Sequence, residues 1–299
     1  MQNVKIVIMV ALTLVLSLPA WAAAAPSPKA QQKPLKVFIL IGTSNMMGFG
    51  GSVGLLPPDL RKPQKNVFVY NVQQNTWTHM RPFKWIQCGP EHSFAHAMVK
   101  YFHQPVGIIK IIPGMKMYKG DTTRYTDTVA LGWSPEINHP AKGWSGVYKN
   151  FIKLVHRAEK KRPIVLCGIC WDESGRDSMK KTWADAYEKN MRHLVNSLRR
   201  DLHAPMLPFV CALDNTHPGN PKMFPYMHAI RKAQRSLAAS MPAFSVFDQN
   251  DLPRVMFQPN MPIYEKHNDH FTTAGQVESG KRYAKAMIAL LKQEKKAPK

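Results

Sequence analysis

Acidic residues are scarce in this chain: 19 Asp and Glu stand against 41 Lys and Arg in 299 residues, a formal charge of +22. An excess of this size suits a polyanionic partner. The basic residues are nevertheless spread along the chain, apart from the tail Lys292–Lys299, and no helix-turn-helix, zinc finger or aromatic RNA-binding motif occurs. Nucleic acid is therefore not the expected partner; a polyanionic glycan is. Cysteine is scarce too. Four in 299 residues exclude a disulfide-stapled scaffold. Cys167 and Cys170 lie within the strand-like run from Ile164 to Cys170, where residues three apart point to opposite faces and lie too far apart to bridge. No second ligand pair follows at metal spacing, so the expectation is buried thiols and no metal or cofactor.

Long apolar runs are confined to the amino terminus. Lys5 precedes an apolar stretch from Ile6 to Leu18, and Pro19-Ala20-Trp21-Ala22 follows with the small-x-small pattern of signal-peptidase substrates. The run is shorter than the roughly 20 residues that span a bilayer, which predicts a cleaved signal peptide at 1–22, secretion or periplasmic export, and a mature chain not embedded in a membrane. Residues 23–34, rich in Ala, Pro, Ser, Lys and Gln, read as a disordered linker. One domain is expected over 35–292, with a basic tail at 293–299.

Within that domain short β-rich runs alternate with longer amphipathic stretches. The runs are Leu35–Ile41, Val106–Ile112, Pro163–Trp171, Leu207–Leu213 and Ala243–Phe247; the stretches are Ser93–Phe102, Val147–Lys160, Trp183–Leu202, Pro225–Ala239 and Thr272–Leu291. Strand and helix in repeated alternation predict an α/β fold, a three-layer α/β/α sandwich around a central parallel sheet. The strand runs are almost continuously apolar, as burial on both faces requires. The segment from Met115 to Asn150 lacks strong periodicity and reads as a substrate-facing loop.

Candidate chemistry begins where the first strand ends. Lys36-Val37-Phe38-Ile39-Leu40-Ile41 runs into Gly42-Thr43-Ser44-Asn45-Met46-Met47-Gly48, a serine on a glycine-flanked turn at the edge where open α/β sheets bind ligands. Such a serine is often only a helix cap. Three further segments change its weight: Cys88-Gly89-Pro90-Glu91-His92-Ser93-Phe94-Ala95, Gly168-Ile169-Cys170-Trp171-Asp172-Glu173-Ser174-Gly175-Arg176-Asp177, and Asp269-His270-Phe271-Thr272-Thr273-Ala274-Gly275-Gln276. In that order the four segments resemble the blocks of the SGNH hydrolases, a flavodoxin-like superfamily. Their closest likeness is to its sialate O-acetylesterase-like group, carbohydrate esterase family 6.

The resemblance implies a serine esterase that removes O-acetyl groups from carbohydrate. Ser44 is then the nucleophile and His270 its base, because a hydroxyl near neutral pH attacks only when an imidazole takes its proton. Gly89 and Asn45 fall at the oxyanion and substrate positions. Two departures stand out. The family's third block reads Trp-His-Gln-Gly-Glu-Ser-Asp, whereas Glu173 occupies the place of the glutamine here, and an ionised carboxylate offers no donor to an oxyanion. The family's aspartate three residues before the histidine is replaced by His267; the adjacent Asp269 points elsewhere in an extended loop, which leaves a backbone carbonyl, Glu265 or no group to orient the imidazole, with Asp269 itself the remaining candidate for the acid. These departures admit a second function class, an SGNH-fold protein that binds acidic or acetylated glycans without hydrolysis.

Three bland expectations complete the reading. Asp248 and Asp251 shape a turn after a strand. Trp133 and Trp144 either stack on a sugar or simply bury apolar area. His92 and His96, four apart on a predicted helix, are expected at the surface.

Overall fold

A computed structural model describes residues 33–82, 87–112, 133, 147–172, 175–213, 222, 224–255 and 270–294. The chain begins with β1 (Leu35–Gly42), the four-residue helix α1 (Ser44–Met47) and the short α2 (Pro58–Arg61). A hairpin of β2 (Gln64–Asn71) and β3 (Thr76–Met80) follows, then α3 (Glu91–Phe102), β4 (Val106–Ile111), α4 (Val147–Lys161) and β5 (Ile164–Asp172). The remainder is α5 (Lys181–Asp201), β6 (Phe209–Ala212), α6 (Met227–Ser240), β7 (Phe244–Phe247) and α7 (Thr273–Glu294).

The strands form one seven-stranded sheet in the order β3-β2-β4-β1-β5-β6-β7. β1 lies near its centre, parallel to β4 on one side and to β5 on the other. Strand order turns around at β1, because the chain builds one half of the sheet before crossing to the other. The crevice at such a switch point is the usual ligand position in this architecture.

Side-chain alternation along β1 explains the three layers. Leu35, Val37, Ile39 and Ile41 point into a core with Phe151 and Leu154 of α4, Tyr187 and Met191 of α5 and Ile230 of α6. Phe38 and Leu40 point the opposite way, toward Phe94 and Met98 of α3 and Tyr283 and Met287 of α7. A strand with two buried faces has no position for a polar alternate, so its sequence reads as an unbroken apolar run.

The helix and strand runs read from the sequence all appear, but the hairpin does not follow from them. β3 pairs antiparallel with β2, so the sheet is mixed at one edge. β2 carries Lys65 and Asn66 on exposed positions and β3 is half-exposed, and an edge pair covered on one face lacks the continuous apolar signature. The four cysteines are free and buried.

The far end of the sheet is tied by Arg199, near the carboxyl end of α5. Its guanidinium donates to the main-chain carbonyls of Leu207 (3.1 Å), Pro242 (2.8 Å) and Ala243 (3.1 Å), which are the entries to β6 and β7. These are charge-assisted bonds in a buried setting. Replacing Arg199 by Leu is expected to lower unfolding free energy by roughly 2–3 kcal/mol, measured by urea denaturation, with the midpoint falling and the slope unchanged.

Candidate active site

Three separate segments meet at the carboxyl end of β1. The first is the turn that carries Ser44. Thr43 donates its amide to the carbonyl of Asp172, the last residue of β5, at 3.3 Å. α1 then closes on itself, with the amides of Gly48 and Phe49 both donating to the Ser44 carbonyl at 3.0 Å. Gly48 has φ +106°, and a Cβ there would sit 2.6 Å from the Cys88 carbonyl carbon and the Gly89 nitrogen. Glycine is needed at position 48 for conformation and for space alike.

That space is filled by the second segment. A Cβ on Gly89 would meet the Met46 carbonyl at 2.6 Å and Lys110 Nζ at 3.1 Å, so this glycine lies directly on the serine turn. Its amide donates to Glu91 Oε1 at 3.3 Å. The other oxygen of Glu91 pairs with Lys110 Nζ at 2.8 Å, and the same ammonium donates to the Met47 carbonyl at 3.3 Å. Lys110 of β4 thus ties the Gly89 segment to the Ser44 turn. Burial opposes the Glu91 charge, but Lys110 and His92 outweigh it and hold the carboxyl below its usual range.

The third segment brings His270, which is buried. Its ring meets Phe49 edge-on at 5.3 Å, and its carbonyl accepts the Val255 amide at 2.9 Å. The next residue, Phe271, donates its amide to Asn45 Oδ1 at 3.1 Å, and Gln276 at the start of α7 donates to the Phe49 carbonyl at 3.2 Å. The neighbour of Ser44 therefore holds the neighbour of His270.

Of the residues expected from the sequence, Ser44, Asn45, Gly89 and His270 come together on this rim. Asp269, Glu173, His267, Glu265 and Trp144 lie outside the described residues. One expectation needs correction. His92 is buried beside Glu91, with Nε2 at 3.6 Å from Oε1, rather than at the surface, because α3 packs its first turn against the site. Of the two readings of Trp133, burial holds: it is fully buried, 5.1 Å from Trp171 and 5.9 Å from Phe151 between ring centroids, so it fills the core. Asp248 accepts the Asn250 amide at 3.0 Å, a turn contact as expected, and it also pairs with Arg231 at 2.5 Å.

Three polar residues of the site escaped the sequence reading. Lys110 and Asp172 stand at the carboxyl ends of β4 and β5, the strands flanking β1, and alternation turns both toward the α3–α7 layer. A charge inside the apolar run Val106-Gly107-Ile108-Ile109-Lys110-Ile111 was the available signal for the first. Gln249, the third, is buried and donates to Asp172 Oδ1 at 3.2 Å; nothing local in the sequence marks it.

Comparison with known proteins fits this geometry. Residues 34–289 match the family described as "Carbohydrate esterase, sialic acid-specific acetylesterase". The chain belongs to this family. A curated "probable carbohydrate esterase" of Arabidopsis thaliana is 25% identical over 283 residues, covering 88% of this chain and 94% of the relative. Among solved structures, an Arabidopsis thaliana protein superposes with TM-score 0.64 at 21% identity, over 86% of this chain and 99% of that one. NanS gives 0.58 at 17% identity, over 87% and 98%. A carbohydrate acetylesterase from Xanthomonas citri gives 0.58 at 15%, over 85% and 56%. At these identities the superpositions establish a shared fold.

Two predictions follow from the flanking charges. Burial pushes the Asp172 carboxyl from 3.8 up to about 6, against the Gln249 hydrogen bond and the Arg254 charge. The folded chain therefore holds this proton between about pH 4 and 6 while the unfolded chain has released it, so stability falls as pH rises through that window. Asp172→Asn is expected to stabilise the protein at pH 7 by roughly 2–3 kcal/mol, with little effect at pH 4, in melting curves taken across pH. Lys110→Met acts in the other direction. It strands the Glu91 carboxylate and should destabilise by about 3 kcal/mol, an effect that Glu91→Gln in the same chain should partly reverse.

Proposed function

We propose that this member of the sialic acid-specific acetylesterase family is an exported serine esterase that removes O-acetyl groups from carbohydrate through an acyl-enzyme on Ser44. The observation that carries the reading is the Asn45–Phe271 hydrogen bond, which holds the serine turn and the His270 segment on one rim at the switch point of the sheet.

In this mechanism Ser44 Oγ attacks the acetyl carbonyl while His270 accepts its proton. The tetrahedral intermediate collapses as the imidazolium returns that proton to the departing sugar oxygen. Water, deprotonated by the same ring, then attacks the acetyl-enzyme and releases acetate. Amides of Ser44 and Gly89 receive the oxyanion, and one such donor is worth about 3 kcal/mol of barrier. An acetylated, acidic glycan is the substrate class favoured by the +22 formal charge. No described helix is long and apolar enough to cross a membrane. Export rests on the sequence of the apolar amino-terminal segment, with its removal at Ala22.

One observation supports the alternative of glycan binding without turnover. The Gly89 amide already donates to Glu91 Oε1, so an oxyanion must compete with a carboxylate for it. Hydrolysis of a small aryl acetate and of acetylated oligosaccharides separates the two readings. Ser44→Ala should reduce kcat/KM by at least about 10³-fold; equal rates in the two proteins, or none in either, reject the serine esterase.

A further inference from the structure

Asp172 touches both halves of the proposed machinery. Its main-chain carbonyl accepts the amide of Thr43, immediately before Ser44. Its side chain reaches the other way, with Oδ1 accepting from Gln249 Nε2 at 3.2 Å. From Gln249 a run of contacts leads to the His270 segment. The Gln249 carbonyl accepts from Arg254 Nη2 at 3.3 Å, the Arg254 guanidinium lies 4.5 Å above the centre of the Phe271 ring, and Arg254 and Phe271 form an antiparallel bridge. Main-chain bonds close the connection, from Val255 to the His270 carbonyl and from Thr272 to the Pro253 carbonyl, both at 2.9 Å.

A carboxyl is a costly choice for this place. Asp172 stands at the carboxyl end of a strand whose other residues on that face are apolar, and its ionised form is disfavoured there by burial. Asparagine offers the same acceptor to Gln249 without that cost, but it lacks the charge that bears on Arg254. Groups kept against stability at the rim of a site are the ones to examine for function.

We propose that Asp172 is a positioning residue, whose carboxylate acts through Gln249 and Arg254 to set the register of the 249–255 segment against His270 and so to orient the imidazole toward Ser44. The inference rests on the esterase reading above and deepens it, assigning the anchoring of the base to a strand end. Among the described residues, the titratable groups bearing on Asp172 are Arg254, from the 249–255 segment, and Tyr283 of α7, whose hydroxyl donates to the Trp171 carbonyl at 2.8 Å and whose own ionisation burial and then the Asp172 charge oppose. Tyr283, held well above its ordinary value, stays neutral across the range of interest.

The test compares full-length wild type, Asp172→Asn and Gln249→Leu, with imidazole carbons of histidine labelled for NMR and the His270 signal assigned by its loss in His270→Ala. The wild-type His270 signal should show an inflection near pH 6 as Asp172 ionises, besides its own titration. Both variants should lose that inflection or shift the His270 titration, and both should lower kcat for an aryl acetate tenfold or more, with KM within twofold. His270 titration curves that superimpose in all three proteins overturn the proposal, whatever the rates. Failure of the esterase reading is seen separately, in full activity of Ser44→Ala, and leaves the NMR comparison to decide the role of Asp172.

Discussion

Everything at this site depends on the contact of one main-chain segment with another at the carboxyl end of β1. Gly48 lies against the Gly89 amide and Gly89 against the Met46 carbonyl, so that neither has room for a Cβ, and the serine turn is pressed between β5 on one side and the amino-terminal approach to α3 on the other. Main-chain packing of this kind gives the turn a single position. Side chains on it inherit that position without needing an anchor of their own, and the usual entropic cost of ordering a loop falls on the strands and glycines beneath.

Two charges secure that contact from either flank. Lys110 at the end of β4 bridges Glu91 to the Met47 carbonyl, and Asp172 at the end of β5 joins Thr43 to Gln249. The two are not energetically alike. Lys110 and Glu91 satisfy each other, whereas the Asp172 carboxylate pays for its burial and is met by a neutral amide and a guanidinium acting through its charge. A paired ion holds structure, and an under-compensated one marks a place where charge serves something other than stability.

Much of the fold was legible because a doubly buried parallel sheet leaves a plain signature: apolar runs at strand length alternating with amphipathic runs at helix length. Ser44, Gly89 and His270 were legible through the blocks that contain them. The β2–β3 hairpin was not, since its half-exposed strands carry mixed residues at an edge. His92 looked like a surface histidine because helical spacing gives a face without saying what covers it, and here the site does. Trp133 sat in a stretch of weak periodicity where stacking on a sugar and plain burial were both open, and its contacts with Trp171 and Phe151 decide for the core.

By itself the sequence determined the layer architecture and the order of the blocks, because periodicity and residue type are local properties. Only the tertiary structure decided which groups hold the serine turn and the His270 segment together. Asn45 and Phe271 are 226 positions apart, and Asp172 and Gln249 are 77 apart. Such pairs are made by strand order and by the direction in which alternation points the last residue of a strand, and no local pattern encodes either. The Ser44 turn is a glycine-flanked motif in the sequence; in the fold it is where three segments and the Lys110 and Asp172 side chains converge.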